Sequence, residues 1–199
     1  DGVTTGWFDL GLKLSGPLVP QLAVAFEEMF GRADFQHKRF MRVRRSTARK
    51  TVQVPNEQLL LNGPGRGHSP INRALRGDLA RAANVQIMVP YFLPTWRIRR
   101  DLARVVRRGG TVQLLLPGKS DVRLSQLAGQ SLYRRLLKAG VQIYEYQPQV
   151  LHAKLIIADD AVYVGSANLD QRSLKINYEL MVRFDQHAMA EQARELFAQ

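Results

Sequence analysis

From residue 57 onward, short apolar runs alternate with longer stretches of helical periodicity, and that alternation limits the folds open to the chain. "QLLLN" (58–62), "VQIMVP" (85–90), "TVQLLLP" (111–117) and "VQIYEY" (141–146) have strand length. Between them, residues 71–83, 97–108 and 123–139 space their apolar side chains as helices do. Helices that link apolar strands imply right-handed crossovers, which build a largely parallel sheet covered on both faces. The pattern changes near the end. "KLIIA" and "AVYVG" flank Asp159-Asp160 and read as a hairpin, "NYELMVRF" as a further strand, and residues 187–198 as a closing helix. The expected fold class is α/β: a three-layer α/β/α sandwich with a mixed, largely parallel sheet.

The first part of the chain is organised differently. Residues 8–14 place Phe8, Leu10, Leu12 and Leu14 on one side and Asp9, Gly11 and Lys13 on the other, which predicts a half-buried strand. Gly16-Pro17 turns the chain. Residues 18–30 follow with helical spacing through Leu18, Leu22, Ala25, Phe26 and Met29. Residues 35–50 hold seven Lys/Arg and no acid, as expected of a basic connector between domains. The expected division is therefore 1–34, a connector over 35–56, and a main domain over 57–199.

Charge and composition narrow the function. With 29 Lys/Arg against 17 Asp/Glu, the net charge is +12, which suits a polyanionic partner: nucleic acid, anionic lipid or a phosphorylated substrate. The absence of Cys excludes disulfides, thiol nucleophiles and thiolate-bound metals. The His are scattered without metal-ligand spacing, so no metal or cofactor is expected. No apolar run approaches the length that spans a bilayer. Gly63, Gly65 and Gly67 lack the Lys-Ser/Thr of a phosphate loop and read as a flexible loop. The arginine-rich helix over 97–108 is expected to pack Ile98, Leu102, Val105 and Val106 on its own sheet, with its arginines in water.

The chemistry concentrates in "LHAKLIIADDAVYVGSANLD", residues 151–170. Alternate residues of an extended strand share a face, so His152 and Lys154 project together while Ala153 turns inward. Ser166 and Asn168 share a parity at the far end of the next arm. If the arms pair, an imidazole, an ammonium, a hydroxyl and a carboxamide converge. Lys, Ser and Asn can hold the non-bridging oxygens of a phosphate, and His can attack phosphorus or carry a proton.

H-x-K-x4-D followed by G-S-x-N, here His152, Lys154, Asp159, Gly165, Ser166 and Asn168, resembles the signature of the phospholipase D superfamily. Five residues separate Asp159 from Gly165 where the usual pattern has six, so either Asp159 or Asp160 could take the family's Asp role. "SPINRALRGDLARAANVQIMVPYFLP", "GGTVQLLLPGKSD", "LYRRLLKAGVQIYEYQPQVLHAKL" and "NLDQRSLKINYEL" look like the second half of bacterial cardiolipin synthases. Residues 7–30 look like the segment that follows the first catalytic motif of those proteins.

This resemblance implies a phospholipase D-like domain and phosphatidyl transfer through a phosphohistidine, without metal or cofactor. It makes His152 the nucleophile or the acid/base, Lys154 and Asn168 the clamp on the phosphoryl oxygens, and Ser166 an added donor. Glu179 would orient a catalytic His, and Asp159 and Gly165 would shape the hairpin. Two such motifs meet at one site in the family. This sequence has a single H-x-K, so the second is expected from an N-terminal half or a second chain, and the chain alone is expected to be inactive. The implied substrate is an anionic phospholipid at the bacterial cell membrane, with cardiolipin formed from phosphatidylglycerol. A homodimeric endonuclease acting on nucleic acid and a non-catalytic regulatory half are the alternatives.

Overall fold

The computed structural model describes residues 6–30, 49–64, 67–119 and 122–198. Most of the basic stretch 35–50 and Gly65 lie outside the described residues. Ten strands and seven helices are found among the described residues. In chain order they are β1 (Trp7–Phe8), α1 (Leu18–Phe30), β2 (Lys50–Val54), β3 (Glu57–Asn62), α2 (Pro70–Leu79), β4 (Asn84–Met88), α3 (Trp96–Arg107), β5 (Thr111–Pro117), α4 (Arg123–Gln130), α5 (Tyr133–Lys138), β6 (Gln142–Tyr146), β7 (Val150–Leu151), β8 (Leu155–Ala158), β9 (Ala161–Gly165), α6 (Gln171–Lys175), β10 (Glu179–Asp185) and α7 (His187–Phe197).

Eight strands form one sheet in the order β2-β3-β10-β9-β8-β4-β5-β6, and β1 pairs with β7 in a small second sheet. The sheet is mixed, as expected, but its parallel share is smaller. Parallel pairing is confined to β4-β5 and β5-β6, where helical crossovers connect the strands. The other five neighbouring pairs are antiparallel, because β2-β3 and β8-β9 are hairpins and β10 slots between them.

The layers follow from side-chain alternation. Along β8, Ile156 and Ala158 enter one core with α2, α3, α5 and α6. Leu155 and Ile157 enter the other with α1 and α7. This is the three-layer sandwich. In α3, Ile98, Leu102 and Val105 are fully buried, worth about 2 kcal/mol each, so its apolar stripe is used inward.

Several sequence expectations change. Of the predicted strand over 8–14 only Phe8 is strand, in a two-residue element with Trp7, yet Phe8, Leu10, Leu12 and Leu14 still pack against the second core. Phe26 is exposed rather than inward, stacked on Phe30 at 5.8 Å. Residues 50–54, assigned to the connector, are the edge strand of the main sheet. The Pro55-Asn56 turn made this strand hard to see, with Asn56 at φ 60° in the left-handed position of a two-residue hairpin. Helix 123–139 is broken after Gln130, where Ser131 Oγ donates to the carbonyl of Ala128 at 2.6 Å and competes with the helical ladder. The helix read over 71–83 ends at Leu79.

Candidate active site

β8 begins, β9 ends, β10 begins and β3 ends on the same edge of the sheet. Leu155 pairs with Val164, Met181 with Gly165, and Glu179 with Asn62. Met88, the last residue of β4, pairs with Leu155, so the same edge is the carboxyl end of a parallel strand. Ligands of open α/β sheets collect at such ends.

His152 and Lys154 lie in the extended link between β7 and β8 rather than in a strand. Their side chains still meet. Lys154 Nζ is 3.2 Å from each ring nitrogen of His152 and donates to the His152 carbonyl at 2.6 Å. Ala153 is fully buried in the second core, as its parity predicts. Lys154 is only 7% exposed, which keeps its charge beside the imidazole.

The acid that meets this His is Asp9, not Glu179. β1 pairs with β7 in the register Phe8–Leu151, and the amides of His152 and Ala153 both donate to the Phe8 carbonyl. Asp9 follows directly, and its Oδ2 is 2.7 Å from His152 Nδ1. Partial burial, the largest single influence, pushes the Asp9 carboxyl up, but the hydrogen bond from His152, the Leu10 amide and the charges of His152 and Lys154 together outweigh it, and the net shift is downward. Trp7 packs over the imidazole with ring centres 4.8 Å apart.

Glu179 is 6% exposed and is engaged elsewhere: Ser166 Oγ donates to its Oε2, and Asn177 Nδ2 to its Oε1 at 3.2 Å. Ser166 is also tied to β10, its amide donating to the Leu180 carbonyl at 2.9 Å and its Oγ accepting from the Leu180 amide at 3.0 Å. Among the described residues, no hydrogen bond joins His152 to Ser166, Asn168 or Glu179. Gly165 is required by the close approach of β10, since a Cβ there would stand 2.1 Å from the Leu180 carbonyl oxygen.

Asn168 opens onto a groove of about 950 Å³. Tyr91, Leu93, Pro94 and Leu132 give it apolar walls, and Arg99 and Arg172 supply positive charge. Asn168 Oδ1 is buried without a hydrogen-bond partner among the described residues, an unspent polar group of the kind found where a ligand binds. Asp170 also lines the groove, but its carboxylate caps α6 by accepting from the Ser173 amide at 2.7 Å. No cluster of His, Cys, Asp and Glu suited to a metal exists among the described residues.

Asp159 lies at the opposite end of β8 from this site. Its φ of 51° turns the hairpin, and its carboxylate accepts from the Ala83 and Asn84 amides, the shortest contact being 2.8 Å. Asp160 instead meets His187 at 2.9 Å. Asp159 therefore pins the hairpin to the start of β4. Asp159→Ala is expected to cost about 1–2 kcal/mol through the loss of charge-assisted bonds to these exposed amides, measured by urea unfolding; a loss below about 0.5 kcal/mol would remove the pinning role.

Asp9, Trp7, Asn177 and the groove arginines are site residues that sequence reasoning missed. Asp9 carried two signals, its place in an alternating segment and, with Trp7, the resemblance of residues 7–30 to a segment that follows a catalytic motif, but neither pairs it with a residue 143 positions away.

Comparison with known proteins gives the family and the fold. A family model described as "Cardiolipin synthase, PLD-like domain" matches residues 78–199. The chain belongs to this phospholipase D-like family. Cardiolipin synthase 1 of Bacillus cereus is 31% identical over 183 residues, covering 88% of this chain and 36% of that protein. Cardiolipin synthase A of Wigglesworthia glossinidia brevipalpis is 29% identical over 189 residues, covering 90% of this chain and 37% of that protein. The chain thus spans just over a third of the length of these curated relatives. Among solved structures, the phospholipase D family member Nuc from Salmonella typhimurium superposes with a TM-score of 0.57 at 18% identity, over 71% of this chain and 92% of that one. Phosphatidylserine synthase from Haemophilus influenzae gives 0.56 at 16% identity, over 72% of this chain and 39% of that one. Both likenesses concern the fold.

Proposed function

We propose that this domain supplies one half-site of a phosphatidyl transferase that makes cardiolipin from phosphatidylglycerol at the bacterial membrane. The observation that carries this reading is the His152–Lys154 pair, with its ammonium 3.2 Å from the imidazole, beside a groove with apolar walls and two arginines. A lipid phosphodiester needs both surfaces: cationic donors for its oxygens and apolar walls for its glycerol and acyl parts.

The Asp9 contact occupies Nδ1 of His152 and leaves Nε2 for phosphorus. As nucleophile, Nε2 forms a P–N bond while the ester P–O bond breaks and the leaving alkoxide takes a proton from a second His. The acceptor hydroxyl then attacks phosphorus, its proton passes to that second His, and the P–N bond breaks. With the roles exchanged, His152 carries the proton and the second His bears the phosphoryl group. Lys154 and the Asn168 amide hold the non-bridging oxygens in either case, with Ser166 as a further donor. Glu179 acts through Ser166 and Asn177.

One imidazole cannot serve both roles in one step, and the sequence holds a single H-x-K. The second half-site comes from another part of a longer protein or from a second copy, and the domain alone is inactive. Residues 7–30, which cross the second face of the sheet, are read as the end of that preceding half, the basic stretch as the connector behind it, and the rest as the second catalytic domain.

The net charge of +12 keeps a homodimeric endonuclease as the second reading. Incubating the complete protein with phosphatidylglycerol vesicles and, separately, with supercoiled plasmid decides between them. Diphosphatidyl product without nicking is expected. Nicking without lipid product would replace the lipid reading.

A further inference from the structure

Outside the site, the described surface is most unusual where α3 and α5 lie side by side. A cleft of about 230 Å³ between them is lined by Arg99, Arg100, Arg135 and Trp96, with Leu136 and Ala139 as its floor. Trp96 is 55% exposed at the first turn of α3. The Arg100 guanidinium stands 4.6 Å from its ring centre and that of Arg97 5.9 Å. Among the described residues, no acid pairs with this group. Asp101, the acid of α3, is engaged by Arg76 and Arg104. Glu145, on β6, bonds Gln130 and pushes the Tyr133 hydroxyl up to about 12, an effect second to that of burial. Among the described residues, the buried Nε atoms of Arg99 and Arg100 have no hydrogen-bond partner.

We propose that this cleft, with Trp96 at its mouth, is the face by which the domain sits on an anionic phospholipid bilayer. Three observations favour a bilayer over a single soluble anion or a nucleic acid. The apolar stripe of α3 is fully used inside the protein, so contact is made by its arginines and by one amphipathic ring, the composition that suits the headgroup level. Arg134 and Lys138 on α5 are exposed and extend the positive surface around exposed Leu137, which mixes charge with an apolar tip. Arg99 lines both this cleft and the groove that holds Asn168, so the two surfaces are continuous. A lipid leaving the bilayer beside Trp96 would meet Arg99 and enter the groove without crossing bulk water. The choice of lipid as partner rests on the lipid-directed reading of the site.

The chain contains two tryptophans, so Trp7→Phe leaves Trp96 as the sole indole reporter. With vesicles of mixed phosphatidylglycerol and phosphatidylcholine, Trp96 emission is expected to shift to the blue and be quenched by brominated acyl chains; vesicles of phosphatidylcholine alone should do neither. Arg100→Gln with Arg135→Gln is expected to weaken vesicle binding about 30-fold, with unchanged thermal unfolding. Trp96→Ala, a milder change at an exposed position, should weaken it as well. Binding within two-fold of the parent protein in both variants would overturn the proposal, as would a Trp96 emission unmoved by anionic vesicles. So would a loss confined to duplex DNA binding, which would assign the face to nucleic acid. Turnover of detergent-dispersed phosphatidylglycerol by the complete protein separates this inference from the function. If that turnover persists while vesicle binding ignores the arginines, only the docking face fails. If turnover is absent while vesicle binding depends on them, only the transferase reading fails.

Discussion

His152→Ala in the complete protein is expected to lower phosphatidyl transfer by roughly four to six orders of magnitude, the scale of loss when a nucleophile or its proton carrier is removed. Among the described residues, no other His can stand in. His187 is held by Asp160 at the far end of the hairpin, and His68 sits before the cap of α2. The substitution should leave the fold intact, because the His152 side chain is partly exposed, Trp7 is exposed, Asp9 is half-exposed, and the buried Lys154 keeps its bond to the main-chain carbonyl of residue 152. Surface changes of this kind usually move stability by less than about 0.5 kcal/mol. His152→Asn makes the sharper test. It keeps a polar group against Asp9 and can neither form a P–N bond nor shuttle a proton. Rapid-quench trapping of lipid-derived phosphate on the protein tells the two roles apart. Loss of the adduct marks His152 as nucleophile, and persistence of a stalled adduct marks it as the proton carrier. Turnover within ten-fold of the parent would discard His152 from the chemistry altogether.

The sequence carried the elements that have strong periodicity and the pairs that share a strand parity. α3 was legible because Ile98, Leu102 and Val105 recur at helical spacing and all three are buried. His152 and Lys154 were legible because one residue separates them, and the inward turn of Ala153 between them follows from the same parity. The break in the helix over 123–139 is local, set by Ser131, but the misses at the site and in the sheet order come from pairings between residues remote in the chain. The antiparallel majority of the sheet depends on β10 inserting between two hairpins, which no local pattern records. The Asp9–His152 contact depends on β1 lying beside β7, and each of those strands is two residues long. Glu179 was expected to orient a catalytic His; its cross-strand position beside Asn62 also makes it the acceptor for Ser166 and Asn177, which no local pattern records. Asp159 was separable from Asp160 only once the amides of Ala83 and Asn84 were seen to point at it.

The largest expected loss of stability is at Asp78, where α2 is fastened to the sheet. Asp78, Tyr163 and Arg183 are all buried. Arg183 Nε donates to Asp78 Oδ2 at 2.7 Å and one terminal nitrogen to Oδ1 at 3.0 Å, a bidentate pair, while the Tyr163 hydroxyl also donates to Oδ2. Burial and the facing carboxylate push the Tyr163 hydroxyl far up, which keeps it a donor. Burial, the largest single influence, works against the Arg183 charge, but the hydrogen bond to Asp78 together with the charge of Asp78 and the contacts with Tyr163 overrides it and raises its pKa. Asp78→Ala removes the acceptor for both groups, and for the exposed Arg81 as well, and among the described residues leaves the buried Arg183 guanidinium with Asp185, a largely exposed partner at 3.2 Å. Breaking such a pair from one side costs about 3–5 kcal/mol, a fall in Tm of roughly 10–15 °C for a domain of this size. Tyr163→Phe deletes one hydrogen bond and leaves the ion pair, so it should cost only about 1 kcal/mol. The decisive variant is the apolar triple, Asp78→Leu with Tyr163→Phe and Arg183→Met. If the penalty of Asp78→Ala comes from an orphaned charge, the triple variant recovers most of the lost stability, since matched apolar groups can replace a buried ion pair. If it remains as unstable as the single variant, the loss comes from packing between α2 and β9 rather than from charge. Reading both by urea unfolding separates the two accounts, and His152 chemistry should be unaffected in every folded variant.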